Sequence, residues 1–308
     1  MQIVRGLESF PPDARPSVVA LGTFDGVHLG HRAILGTAVT RARAAGLQAL
    51  ACTFEQHPAE ILNPARAPKS ISTVDERLEL IGETGVDGVL VLSFTPALAA
   101  VEPEAFVKDV LLGRLRAQEI VVGFNHRFGR GARGDARLLQ EMAARLGFQA
   151  HVVPPLTVEG VAVSSSEVRT ALQRGDVVAA ARFLGRPYWI GGTVTSGHGR
   201  GRTIGFPTAN LAADRDLLIP KGVYACLAHV EGVAHPAVVN VGVRPTFSET
   251  TLAIEAHLLD FTGDLYSRRM RLDFILHLRE EMRFPSVGEL KAQIARDAAA
   301  AREGLRGR

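Results

Sequence analysis

The sequence predicts an α/β domain on a doubly wound parallel sheet, followed by an all-β domain closed by a C-terminal helix. Three observations carry this reading. Through the first half, short and continuously apolar runs alternate with longer helical patterns, as expected of parallel strands covered on both faces. Beyond residue 185 the helical pattern stops, and short β-rich runs follow between Gly-, Pro- and Asp-rich turns, the signature of an antiparallel barrel or sandwich. A last helical stretch ends the chain, whose 308 residues are comfortable for two hydrophobic cores.

Taken in order, residues 17–21 (SVVAL) form a strand that leads into a glycine-containing turn. Residues 31–46 are mostly Ala, Arg and Leu, a helix ending on Gly46, the residue type that tolerates a left-handed cap. Residues 47–54 are a strand, and 74–84 a helix with Thr73 as N-cap and Glu76 at capping-box spacing. Strands at 89–94, 119–124 and 149–153 alternate with helices at 103–115 and 135–146. Two short helices, 165–174 and 176–184, precede the change of pattern at Gly185-Arg186-Pro187, which divides the chain into domains 1–184 and 185–308. Strand-like runs follow at 188–195, 223–230, 237–241, 252–259 and 271–278. The closing helix, 286–304, puts Val287, Leu290 and Ile294 on its apolar face.

Hydrophobic residues make up 46% of the chain and charged residues 22%, with a net charge of +3, ordinary values for a soluble globular protein. Lys and Arg are not concentrated on one element, so no nucleic-acid partner is expected. Residues 1–16 lack the apolar core of a secretory signal, and no run nears the ~20 apolar residues of a membrane span. A cytoplasmic protein without membrane contact is therefore expected. Cys52 and Cys226, far apart in apolar runs, read as buried free thiols.

The most informative segment is Gly22-Thr23-Phe24-Asp25-Gly26-Val27-His28-Leu29-Gly30-His31, between a strand and a helix. Its glycines allow a tight turn and close approach to a ligand. The helix start offers unpaired N–H groups and a positive dipole end, which favour phosphate. His28 and His31 can hold both imidazoles against one phosphate and donate to the charge that builds as an α-phosphorus is attacked. A lone histidine here would more simply cap the helix or pack in the core.

This decamer resembles the H-x-G-H signature of the nucleotidylyltransferase superfamily and, with G-x-F-D-G ahead of it, the prokaryotic FAD synthetase family. The resemblance implies a Rossmann-like nucleotidylyltransferase domain. His28 and His31 would stabilise the transition state, Gly22, Phe24, Gly26 and Gly30 would bind ATP, and Asp25 would support the turn or the substrate. Gly123-Phe124-Asn125-His126-Arg127-Phe128-Gly129 is similar to the family's G-x-[DN]-F-R-F-G segment, with His126 where Phe is usual; Asn125 and Arg127 keep their places. Val163-Ser164-Ser165-Ser166-Glu167-Val168-Arg169 resembles the family's I-S-S-T-x-I-R element, in which Ser164, Ser165 and Arg169 wrap a triphosphate. Thr53-Phe54-Glu55-Gln56-His57-Pro58 resembles T-F-x-P-H-P with Gln56 for Pro, and His57 either contacts the flavin or its phosphate or simply shapes the turn.

In the second half, Gly197-His198-Gly199-Arg200-Gly201-Arg202-Thr203 is a basic glycine loop suited to phosphates, followed by Gly205-Phe206-Pro207-Thr208-Ala209-Asn210. Thr208 and Asn210 are neutral oxygen donors of the kind Mg²⁺ accepts beside substrate phosphates. Neither a Walker A lysine pattern nor an H-R-D loop occurs in this half. The P-T-A-N run is similar to that of riboflavin kinases, and Lys221–Ala225, Asn240–Phe247, Ile254–Phe261 and Leu278–Phe284 continue the resemblance.

It implies a small antiparallel β-barrel riboflavin kinase domain with a C-terminal helix. Gly199, Arg200, Gly201, Thr208 and Asn210 would bind nucleotide, the last two with Mg²⁺. Glu255 would activate the hydroxyl, and Arg279 and Phe284 would close over the flavin. The implied reactions take riboflavin to FMN and FMN to FAD, with ATP as co-substrate. The expected partners are small molecules only, on a monomer or weak homo-oligomer.

Overall fold

The computed structural model describes residues 1–196, 201, 204–245 and 250–307. The chain divides into two compact units, Met1–Ser165 and Ser166–Arg308.

In the first unit, β1 (Gln2–Arg5), β2 (Ser17–Leu21), β3 (Gln48–Phe54), β4 (Gly88–Leu92) and β5 (Ala117–Gly123) alternate with helices. These are α1 (Leu29–Ala45), α2 (Pro58–Leu62), α3 (Val74–Gly82), α4 (Pro96–Ala99) and α5 (Pro103–Ala105), the last continuing as a π-helix over Phe106–Arg114. The ladder of β6 (Arg127–Phe128) with β7 (Gly134–Asp135), α6 (Ala136–Leu146) and β8 (Gln149–Val153) follow, then the hairpin β9 (Thr157–Val158) and β10 (Val161–Ala162). The main sheet is wholly parallel in the order β1-β4-β3-β2-β5-β8.

Successive strand residues serve opposite faces, as the pleat requires. Val18, Ala20, Ala49 and Ala51 pack with Leu35 and Ala38 of α1 and with Leu78 and Ile81 of α3. Val19, Leu21, Leu50 and Cys52 pack with Val107 and Leu111 of the π-helix and with Leu139 and Met142 of α6. Two covered faces explain why β2 and β4 are buried at every position. The chain runs β2, β3, β4 outward and then returns to the other side of β2 for β5. That reversal opens a crevice at the carboxyl ends of β2 and β5, where ligands of open α/β sheets bind.

The second unit begins with α7 (Ser165–Gln173), whose first residue still belongs to unit one, and α8 (Val177–Leu184). β11 (Tyr188–Thr195), β12 (Ala209–Ala213), β13 (Gly222–Val230), β14 (Val233–Pro245), β15 (Thr250–Leu258) and β16 (Arg269–Arg279) then close a barrel in the order β11-β12-β15-β14-β13-β16. All its pairings are antiparallel. Of the two architectures the strand pattern allowed, the barrel is the one formed. Tyr188, Tyr224 and Phe274 are fully buried. On the outer face, Val223, Ala225, Val238 and Ile275 pack with Ala298, Ala301 and Leu305, of which the first two lie on α9 (Val287–Gly304).

Some expectations are corrected. Helix α1 starts at Leu29 rather than at residue 31. The expected helix 103–115 is mostly π-helical. β1 and β12 were not foreseen; β12 is rich in Ala and Asn, poor strand formers that the barrel enlists by pairing on both sides. Val287 is 58% exposed, so it is not part of the face α9 buries, which centres on Ala298 and Ala301. Small residues there let the helix backbone lie close to the barrel. Cys52 and Cys226 are buried free thiols, and burial pushes the Cys52 thiol up to about 12.

Candidate functional site

At the carboxyl end of β2 the chain turns through three residues of positive φ, Phe24 (50°), Gly26 (73°) and Val27 (38°), before entering α1. A Cβ at Gly26 would stand 2.7 Å from Ile71 Cγ2, so position 26 needs glycine for space as well as for its dihedral angle. Asp25 is buried and holds the turn from below. Its carboxylate accepts the backbone N–H groups of Ile71 (3.0 Å) and Ser72 (3.1 Å) and the Ser72 hydroxyl (3.2 Å). Ser72 Oγ in turn accepts the Gly26 N–H at 3.1 Å. Of the two roles the sequence allowed Asp25, this geometry supplies the support of the turn.

His28 is buried and caps α1: its Nδ1 accepts the His31 N–H at 3.2 Å. The two imidazoles stack, with centroids 3.6 Å apart and planes 16° from parallel. Phe24 is fully buried and presents its ring edge-on to His31 at 5.3 Å, so any nucleotide contact at position 24 runs through the backbone. Gly30 is tightly surrounded; a Cβ there would be 3.1 Å from His28 Cε1 and 3.5 Å from the Val163 carbonyl. The serine segment therefore abuts the His/Gly turn, and Ser165 Oγ donates to the Asp25 carbonyl at 3.3 Å. Ser164 precedes α7, and Arg169 lies one turn along it.

The turn after β3 is tied to the same place. Thr53 Oγ1 donates to the Thr23 carbonyl at 3.0 Å. Arg77 of α3, itself buried, donates to that carbonyl at 3.0 Å and to the Phe54 and Glu55 carbonyls at 2.5 and 3.0 Å. This arginine was missed in the sequence because its partners are carbonyls, which every residue type has. Burial lowers its pKa from the ordinary arginine value. His57 caps α2, its Nδ1 accepting the Ala59 N–H at 3.1 Å. Beyond β5, Asn125 and Arg127 are exposed, and Arg127 stands 3.6 Å from Asp135. His126 lies parallel to Phe128 (5.9 Å, 18°), and burial pushes its imidazole down to about 4. At neutral pH it is an uncharged ring, which explains how it replaces a phenylalanine.

On the barrel, β12, β15 and β14 bring Asn210, Glu255 and Asn240 into register, with Glu255 in the middle. The row continues through Val223 on β13 to Arg279 on β16. Three residues singled out in the sequence thus share one rung across five strands. Asn240 was within a recognised segment but carried no assigned role. Thr208 is exposed beside buried Asn210. His257 Nδ1 donates to the Pro207 carbonyl at 2.8 Å and so steadies the turn into β12. A Cβ at Gly201 would stand 2.3 Å from the Phe206 carbonyl, which keeps that position a glycine. Gly199 and Arg200 lie outside the described residues. Arg279 is held by Asp297 of α9 (Nη2 to Oδ2, 2.8 Å) and stands over the Phe284 ring at 5.8 Å.

The two units, each built on its own core, find their counterparts among known proteins. The profile of the FAD synthetase family matches residues 10–167 and that of riboflavin kinase residues 184–305. A bifunctional riboflavin kinase/FMN adenylyltransferase of Pseudomonas fluorescens is 40% identical over 303 residues, covering 98% of this chain and 97% of its own. The chain belongs to the bifunctional riboflavin kinase/FMN adenylyltransferase family. The enzyme of that name from Bacillus subtilis is 37% identical over 287 residues, covering 91% of this chain and 90% of its own. A solved structure described as a macrolide-efflux protein from Streptococcus pneumoniae is 29% identical, with a TM-score of 0.89 over 98% of this chain and 99% of that one. Among the described residues no helix is long and apolar enough to cross a membrane.

Proposed function

We propose that this member of the bifunctional riboflavin kinase/FMN adenylyltransferase family makes FAD in two steps. ATP first phosphorylates riboflavin to FMN at the barrel. A second ATP then adenylylates FMN at the parallel-sheet unit, releasing pyrophosphate. The observation that carries this reading is the Asn210–Glu255 register on a chain that also holds the stacked His28–His31 pair.

At the barrel, Glu255 takes the proton of the ribityl 5′-hydroxyl as its oxygen attacks the γ-phosphorus and ADP leaves. Gly199, Arg200 and Gly201 receive the phosphates. Thr208 and Asn210, with Glu255 facing Asn210, form an all-oxygen donor set that suits Mg²⁺; when bound, the ion would neutralise phosphate charge. Arg279 holds Phe284 where the ring can cover the flavin.

At the sheet, the FMN phosphate attacks the α-phosphorus of ATP. The Nε2–H of His28 and the His31 ring donate to the oxygens that gain charge there. Gly22, Gly26, Gly30 and the Phe24 backbone let the phosphates approach, with Asp25 holding the turn. Asn125, Arg127, Ser164, Ser165 and Arg169 bind the triphosphate, and His57 lies on the flavin side. The functional boundary falls between residues 184 and 185. The modest net charge and the even spread of Lys and Arg favour a cytoplasmic enzyme of small molecules, monomeric or weakly self-associating, with no nucleic-acid partner.

Incubation with riboflavin, ATP and Mg²⁺, followed by chromatography of the flavins, tests this. FMN and then FAD are expected; formation of neither would overturn the reading, and FMN alone would remove the second activity.

A further inference from the structure

The hairpin that carries Arg127 is gripped at its tip by another segment of the first unit. β6 and β7 pair Arg127 with Asp135 and Phe128 with Gly134, and residues 129–133 turn between them. Gly129, Gly131 and Ala132 in that turn have φ of 69°, 61° and 55°. At Ala132 an L side chain occupies the left-handed region, a conformation that persists where surrounding contacts impose it. Those contacts come from Val101, Glu102 and Pro103. The Arg130 N–H donates to the Val101 carbonyl at 2.7 Å, and a Cβ at Gly129 would stand 2.7 Å from Pro103 Cα. Arg133 Nη2 donates to both Glu102 carboxylate oxygens at 2.8 Å, while its Nε donates to the Arg130 carbonyl at 3.2 Å. Arg130 Nη1 reaches the same carboxylate at 3.4 Å. Glu102 stands at the N-cap of α5 yet makes no side-chain cap there; its acceptors go to the hairpin instead.

We propose that Glu102 is a positioning residue of the adenylylation site, an inference that rests on the reading of Asn125 and Arg127 as triphosphate ligands. Through Arg133 it fixes the hairpin tip and so aims the strand that presents Arg127. The ladder is two residue pairs long, so a tip that changes shape carries β6 with it. Charge-assisted bonds to both oxygens set the direction of the Arg133 guanidinium, which in turn grips the backbone of the tip. Charge supplies a second reason. Arg127, Arg130 and Arg133 lie within seven residues, and Glu102 faces the last two. Arg127 has the longest ion pair of the three, 3.6 Å to Asp135 against 3.4 and 2.8 Å to Glu102. It is therefore the guanidinium most readily given up to a phosphate, while its two neighbours stay engaged and leave one register open to the triphosphate.

The experiment measures the KM for ATP in the conversion of FMN to FAD by the full chain, for the parent, E102A, R133M, their double variant and R127M. Glu102 and Arg133 are exposed, and a melting transition at the parent's temperature shows that each variant has folded. E102Q, which keeps the shape and loses the charge, carries the test should E102A fail to fold. The KM for ATP is expected to rise about fivefold in E102A and in R133M, with kcat near the parent's. It should rise no further in the double variant, because each change breaks the same pair. Riboflavin phosphorylation by these variants keeps the parent's KM for ATP, and R127M raises the KM of FAD formation by itself. A KM unmoved or lowered in E102A, with that of R127M raised, overturns the role of Glu102 and leaves that of Arg127 standing. Additive increases in the double variant overturn it as well, since the two side chains then act apart. A parent KM for ATP in R127M overturns the reading of the hairpin as a triphosphate ligand, and the role of Glu102 with it.

Discussion

His28 Nδ1 accepts the backbone N–H of His31, so the proton of a neutral His28 ring resides on Nε2. The helix cap and the proposed phosphate donor are therefore opposite edges of one imidazole. Asparagine reproduces the Nδ1 edge and glutamine approximates the Nε2 edge, which allows the two functions to be separated.

For H28N, the cap persists and the donor is lost. FAD formation from FMN should fall on the order of 100- to 1,000-fold with little change in melting temperature. H28Q should lose about 1 kcal/mol of stability with its cap and keep more of the activity. Chromatographic FMN-to-FAD rates and thermal melts together check both, and equal activity loss in the two variants would refute the division.

Arg77 joins the turn after β2 to the turn after β3 through the Thr23, Phe54 and Glu55 carbonyls. R77M strands these acceptors and should destabilise the first unit by about 3 kcal/mol. The KM for FMN should rise while riboflavin phosphorylation on the same chain stays at the parent rate. R77K, with a single ammonium in place of the fork, should recover only part of the loss. An unchanged KM for FMN in R77M would show that the clamp does not shape the flavin side.

Replacing Arg279 leaves the buried Asp297 carboxylate with Gln293 as its remaining side-chain donor, 2.7 Å away. R279M should destabilise the barrel unit by about 3–5 kcal/mol. It should also raise the KM for riboflavin, since Phe284 loses the guanidinium that stands over its ring. D297N should restore most of the stability when combined with R279M, because no uncompensated charge is then left. Denaturant melts of the single and double variants measure this directly.

His126 has a pKa of about 4 in the folded chain, below the roughly 6.5 of an unfolded histidine. Between these values the unfolded chain binds the extra proton, so acidification favours unfolding. The stability held at neutral pH is lost as pH falls from about 6.5 toward 4. H126F, the family's usual residue, cannot titrate. Its melting temperature should gain on the parent's as pH is lowered through this window, and a constant difference between them would count against a half-buried neutral ring.

Local and distributed features differed in how far the sequence revealed them. His28, His31 and their glycines lie within ten consecutive residues, so the turn, the helix start and the paired imidazoles could be read together. Asn210 and Glu255 were recognisable one by one through resemblance, but their facing each other depends on strand register, which no local pattern specifies. β12 was missed because its Ala-Asn composition has little strand preference. Val287 was misplaced because helical periodicity cannot tell a face that packs from one that merely could. Arg77 left no trace at all: its neighbours along α3 are ordinary, and its partners lie 22 to 54 residues away.

The rung on the barrel has a kinetic consequence. Its members run from Asn210 to Arg279 and come from five strands, so the phosphoryl-transfer site proposed on it has no existence before those strands have paired. The His28–His31 pair needs only a strand end and one turn of helix. During refolding from denaturant, non-local pairings are the slow ones. Riboflavin phosphorylation should therefore return with the last phase of barrel closure, which makes the enzyme's own first reaction a clock for its slowest-forming part.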